Sequence, residues 1–306
     1  MRVGWKVHAV MALVQAIFAT LPIAAKFVLP ELGPTGIVFC RIAGSAIGFG
    51  ALIQLSGAPK VSKWKDLAGL AGLAVIGVVF NQLLFLEGVQ RTTAINANVL
   101  ITAIPVFTLA IALLLKRERA TVGKVAGILI AAAGAVYLIG PDRITLDPAG
   151  TTGAAMITAN TLLYAGYLVL SKDMLKRYPP LTVIAYVFGF GAVMILPFGA
   201  AELAHADITS LSAQALVALV YIVLFPSLTA YFLSVWALRR TASSQVAMWV
   251  YIQPVLTAVA APAILGEKLT PRAVAAAAVI FAGMGLTVWA HHGRRPAVVA
   301  APEEGF

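Results

Sequence analysis

Long apolar runs, each closed by charge, glycine or proline, divide this chain into ten predicted elements. They cover approximately Val7–Leu29, Thr35–Leu55, Leu67–Leu86, Thr93–Leu115, Val122–Ile139, Gly150–Leu170, Leu181–Ala200, Ala213–Trp236, Ser243–Leu265 and Pro271–Ala290. Each approaches the roughly 20 residues that carry a helix across a hydrocarbon core about 30 Å thick. The runs are continuously apolar and lack period-two alternation, so helices are expected and an outer-membrane barrel is not. Connections are mostly under a dozen residues, which leaves no room for a soluble domain. The first run leads into "LPIAAKFVLPELGP", with Lys26 and two prolines and no small-residue cleavage site. It is expected to be a retained helix, not a signal peptide.

Composition sharpens the class. With 61% hydrophobic and 11% charged residues and a mean hydropathy of +0.94, there is too little polar surface to cover 306 residues in water. The single cysteine, Cys40, lies inside a span, which excludes a disulfide framework and a cysteine metal site. The net charge of +10 is distributed by side. Sixteen Lys and Arg fall on the face that holds both termini, five (Lys26, Arg91, Arg143, Lys268, Arg272) fall on the other, and Arg41 lies within a span. Positive charge collects on the cytoplasmic side, so both termini are expected there. A nucleic-acid surface would need a soluble face to display it, and none is predicted.

The pattern repeats. "RTTAINANVLITAIPVFTLAIALLLKRERAT" (Arg91–Thr121) aligns without a gap on "RTASSQVAMWVYIQPVLTAVAAPAILGEKLT" (Arg240–Thr270), 149 residues later, with eight identities in 31 positions. Both copies begin at a basic residue, keep a mid-span proline (Pro105, Pro254) and end at a glutamate (Glu118, Glu267) before the next span. A looser match at 146 residues sets Lys26 on Lys172 and Pro34 on Pro180. The chain reads as five spans repeated twice: residues 1–148, residues 149–292 and a short cytoplasmic tail, 293–306. Five is odd, so the second copy enters the membrane inverted. The expected fold is an all-α integral membrane protein of ten transmembrane helices in a 5+5 inverted repeat.

These features carry a resemblance. Ten short spans, Arg41 in "FCRIAG", lysines ending spans one and six, "PSLTAYFLSVWALRRTASS" leading into span nine, and the proline-to-glutamate segments "KRERAT" and "GEKLT" resemble the EamA-type branch of the drug/metabolite transporter superfamily. The resemblance covers nearly the whole chain. It implies a bacterial inner-membrane carrier that exports amino acids or related small metabolites, with no cofactor. In place of the Trp-Gly pair common at the start of span one stands "ALVQAIFAT", with Gln15 and Phe18.

Enzyme motifs are missing from the sequence: no His-Glu-x-x-His, no Gly-x-Ser-x-Gly, and all five aspartates lie in loops or at helix ends. No metal site is expected of His8, His205, His291 and His292. Chemistry is expected instead of polar residues within spans, because polar groups in hydrocarbon face a cavity or a partner helix. Asn81, Gln82, Glu87, Asn96 and Asn98 form an outer cluster. Tyr231, Ser234 and Ser243 to Gln245 form its cytoplasmic counterpart. Near the midplane lie Gln15, Phe18, Thr102, Asn160, Tyr164, Tyr167, Trp249, Tyr251 and Gln253, a mixture of aromatic planes and amides suited to an amphipathic ligand. The substrate-binding candidates are Gln15, Phe18, Asn81, Asn98, Thr102, Asn160, Tyr164, Tyr167, Tyr231, Trp249 and Gln253, each of which has helix-to-helix bonding as its alternative. The gating candidates are Arg41 and Glu87, as an ion pair at the outer end with snorkelling of Arg41 as the alternative, and Pro105 and Pro254, as hinges.

Gly44/Gly48, Gly123/Gly127 and the alanine-rich tenth span serve helix packing or a homodimer interface. The expected partners are a small-molecule substrate and the lipid bilayer. The leading function is export of a small metabolite by alternating access. A channel or lipid scramblase, and carriage of a drug, nucleotide or sugar derivative, are the alternatives. Coupling stays open between proton exchange through Glu87 and facilitated diffusion.

Overall fold

A computed structural model describes residues 5–92, 97, 100–139, 148–205, 211–256 and 271–292. Asn96, Asn98, Arg143, Glu267, Lys268 and the 293–306 tail lie outside the described residues. The described residues are helical. They form α1 (Trp5–Val28), α2 (Pro34–Ser56), α3 (Trp64–Ala74), α4 (Phe80–Arg91), α5 (Ile104–Leu114) and α6 (Val122–Ile139), then α7 (Pro148–Arg177), α8 (Pro180–His205), α9 (Ala213–Ile222), α10 (Ala230–Leu238), α11 (Ser243–Met248) and α12 (Pro271–His292). A π-helical turn, Val75–Val79, joins α3 to α4, and a second, Val223–Thr229, joins α9 to α10. Each therefore makes one continuous helix, Trp64–Arg91 and Ala213–Leu238.

Among the described residues, six helices are long and apolar enough to cross a membrane: Trp5–Ala25, Pro34–Ser56, Trp64–Arg91, Thr151–Arg177, Pro180–Leu203 and Ala213–Leu238. Ile104–Leu114, Val122–Leu138 and Val274–Ala290 are shorter apolar helices. Expected spans four and nine are described only in part, and expected spans five and ten stand among the shorter helices. The outer surface carries large apolar side chains such as Ile47, Leu55, Val193, Val217 and Trp289. In water such a surface would be an aggregation hazard, whereas in a bilayer it is the solvated face.

Packing runs between the two halves of the chain. α2 lies along α8, α4 along α7, α1 along α9 and α10, α5 along α11, and α6 along α12. The main core fills the space among α1, α2, α3, α4, α8 and α10, with the Phe49 and Phe188 rings meeting at a tilt, 5.3 Å apart. A smaller core, including Ala131, Ala135, Tyr251, Ile280 and Met284, seals α6 and α12 to the segment after α11. Small residues set these distances. A Cβ on Gly127 would stand 2.6 Å from the Gly283 carbonyl oxygen, and one on Gly283 would stand 2.5 Å from the Ala131 nitrogen. Gly44 and Gly48 likewise receive Val223 and Leu228. The glycine stripes are taken up by contacts within the chain.

Candidate substrate site and its two closures

Pro226 has no N–H to give the Ile222 carbonyl one helical turn back, so a straight α-helix would leave that carbonyl bare inside the membrane. The helix widens into the π turn, and the Ser227 hydroxyl donates to Ile222 O at 2.9 Å while Thr229 does the same to Leu224 O at 2.8 Å. Ser227 also accepts a hydrogen bond from Arg41 Nε at 2.9 Å. Arg41 is 2% exposed. Glu87 is instead paired with Arg91 on its own helix. The Arg41–Glu87 pair expected from sequence is thus not formed, because i,i+4 geometry gives Glu87 a nearer partner.

Around Arg41 the sequence candidates converge on Tyr231. Its ring meets Phe18 at 6.0 Å and Phe188 at 5.2 Å, both edge-on, and its hydroxyl stands 3.5 Å from Asn81 Oδ1 and from the Gly77 carbonyl. The Gln82 amide lies beside that hydroxyl without completing a hydrogen bond. Tyr164 and Tyr167 stack at 6.1 Å on the far side, with the Tyr167 ring packed onto Gly77. Sequence reasoning set Asn81 and Gln82 at one end and Tyr231 at the other. The structure joins them in one cluster, since the Tyr231 side chain spans the distance between α10 and α4.

Asn81 also links this cluster to α7. Asn81 and Asn160 spend their amides on each other's backbone carbonyls, at 3.3 and 2.7 Å, and so tie α4 to α7. Gln253 donates to Gln15 at 2.6 Å, and the Trp249 ring lies 5.8 Å from His8. Trp249 opens a cleft of about 550 Å³ lined by His8, Met248, Phe281, Met284, Gly285, Val288 and Trp289. Thr102 is buried in the broken turn that precedes α5. Pro105 stands in the first turn of α5, and Pro254 follows a tight 3₁₀ turn, Trp249–Tyr251. Both helices are interrupted just before the proline, as the missing backbone donor and ring clash require.

Two carboxylates from the first half clip helix starts in the second. Glu31 accepts from the Ser212 backbone at 2.7 Å and its hydroxyl at 2.6 Å, at the start of α9. Glu118 accepts from the Ser244 backbone at 3.1 Å and its hydroxyl at 2.6 Å, in the first turn of α11, and is ion-paired with Lys124. Burial pushes the Glu118 carboxyl up, but Lys124 and the Ser244 donors outweigh it and hold the group below the usual carboxylate range. Lys172 reaches the Thr241 carbonyl at 2.5 Å beside this clip, and Arg117 pairs with Asp173 at 2.6 Å. Glu118 reaches α11 because Lys116 takes a left-handed conformation, φ 53°, at the end of α5. The Arg117 N–H then returns to Ala112 O and the Lys116 N–H to Leu113 O, a Schellman closure that turns the chain inward. Sequence reading missed Ser227, Glu31 and Ser212, and used Glu118 only as a repeat marker. The Pro-Ser pair inside an apolar run was the available signal for Ser227.

Comparison with known proteins agrees with this architecture. The chain is 31% identical to an uncharacterized transporter of Archaeoglobus fulgidus over 94% of its own length and 99% of the relative's. It is 28% identical to a probable terminal-alkyne amino-acid exporter of Streptantibioticus cattleyicolor, over 89% and 90% of the two chains, and 26% identical to a WAT1-related protein of Arabidopsis thaliana, over 75% and 66%. A crystal structure with 16% sequence identity superimposes with a TM-score of 0.77 over 96% of this chain and all of that one, which shows a shared fold. The pattern of the EamA-like transporter family matches residues 5–140 and again 151–289. This multi-pass membrane protein belongs to the EamA-like transporter family.

Proposed function

We propose that the chain is a secondary transporter that exports a small amphipathic metabolite, such as an amino acid or a related compound, across a bacterial inner membrane by alternating access. Ten helices in a 5+5 inverted repeat, with both termini cytoplasmic, form the carrier. The observation that carries the reading is the match between the two π turns. Shifted by the repeat distance of 149 residues, Val75–Val79 falls on 224–228, within Val223–Thr229, and Gln82 falls on Tyr231. An internal two-fold axis would bring repeat-related residues side by side, and the position of Gln82 beside Tyr231 supports that reading. The same exchange maps α2/α8 and α6/α12 onto themselves, and α1/α9–α10 onto α7/α3–α4, which supports the inverted repeat. Such symmetry supplies two equivalent gates, one per side.

In this reading the Glu31–Ser212 and Glu118–Ser244 contacts close the two ends, with the buried Tyr231 between them. Opening needs the release of one clip, with bending at the paired prolines and π turns. The amino-acid exporter among the relatives supports a substrate of that class. Reconstitution in liposomes tests this. Saturable uptake with counterflow of amino acids is expected, non-saturating flux would mean a channel, and silence across a broad metabolite panel would remove the reading.

A further inference from the structure

We propose that Arg41 is a carboxylate anchor and that the ligands of the central site are small organic acids with an apolar body, α-amino acids among them. This rests on the transporter reading and names its substrate class. Among the described residues Arg41 makes one hydrogen bond, to Ser227 through Nε, and no carboxylate lies within ion-pairing distance of it. That bond uses one of five N–H donors and leaves the planar edge that receives a carboxylate in two parallel bonds. A buried guanidinium without an anion is expensive in a membrane interior, so such residues mark ligand or ion paths.

A second, independent observation points the same way. Ser45, one turn from Arg41 on α2, is fully buried with its hydroxyl unpartnered, and both polar atoms of the Gln82 amide, 2% exposed, are unpartnered too. Orphaned buried donors and acceptors are rare in a finished core. With Arg41 and Gln82 both beside Tyr231, these three unsatisfied polar atoms and one unpaired cation make a polar site within the apolar core. Phe18 and Tyr231 flank it with aromatic faces suited to the rest of the molecule. The guanidinium is held to the π turn through Ser227, so movement of that turn during gating carries the anchor with it.

Matched ligands test the charge directly on the purified full-length protein. Thermal-shift titrations compare 3-phenylpropionate, 4-methylpentanoate, phenylalanine and leucine with 2-phenylethylamine, 3-methylbutylamine and the amides of the same acids. Acids are expected to bind at least tenfold more tightly than matched amines or amides. Arg41→Gln is expected to erase that preference, and Ser227→Ala, which removes the brace and the hydroxyl's bond to Ile222 O but leaves the guanidinium, to keep it. Equal binding of acids and amides to the unaltered protein, no binding by any acid, or equal loss in both variants overturns the anchor. Acid-selective binding without counterflow keeps the anchor and removes the transport reading. Counterflow of amines indifferent to Arg41→Gln does the reverse.

Discussion

Lys116 sits where helices usually end in glycine, and its φ of 53° costs a side-chain-bearing residue roughly 1 kcal/mol. Lys116→Gly is therefore expected to raise the melting temperature of the purified protein, and Lys116→Val to lower it. The strain is repaid by position, because the turn delivers Glu118 to Ser244 and Lys124. Glu118→Gln leaves Lys124 buried without its counter-charge and should cost about 3 kcal/mol. The sign of the pH dependence follows from a lowered carboxyl pKa. The clip's contribution is complete above the ordinary carboxylate range of about 4 and is lost as pH falls through the depressed value. Melting should be insensitive to this group from pH 5 to 8, and the gap between native protein and Glu118→Gln should narrow in acid. Glu118 is then a fixed anion at neutral pH, not a proton sensor. Little of this was legible in the sequence: Glu118 and Ser244 are 126 residues apart, and so short a connection gives no sign of its left-handed turn.

At the scale of elements, the apolar runs were read correctly as helices, and Pro105 and Pro254 do stand at interruptions in theirs. The π turns were not foreseen, because hydropathy registers how apolar a helix is and not its pitch. π-bulges often lie at functional sites, and here each lies within a long continuous helix. Replacing Pro226 with alanine restores a donor for Ile222 O and frees Ser227 from that task. Pro226→Ala is expected to straighten the helix and to change the counterflow rate at equal membrane abundance, and Pro254→Ala likewise. Unchanged rates in both would assign the motion elsewhere. Asn81 and Asn160 were candidates for a cavity wall or for helix-to-helix bonding, and their two reciprocal bonds tie α4 to α7. A linear sequence shows that two amides lie in spans and nothing about whether they face each other.

Across the whole molecule, among the described glycines, the tightest backbone neighbours of an added Cβ lie between α6 and α12. Added methyl groups at Gly127 or Gly283 would press on backbone atoms at 2.6 and 2.5 Å, where no side chain can turn aside. Gly283→Val is expected to abolish monodisperse protein on size exclusion, while Gly50→Ala, with open space around it, leaves the profile unchanged. The partnership also has a timetable. α6 ends at Ile139 and α12 begins at Pro271, so at ordinary synthesis rates roughly ten seconds or more separate the two helices leaving the ribosome. Until then the glycine face of α6 has only lipid or a provisional neighbour against it. Truncated chains that stop short of α12 would keep that face open, and a quality-control protease that samples nascent membrane proteins would find there the clearest mark of an unfinished molecule.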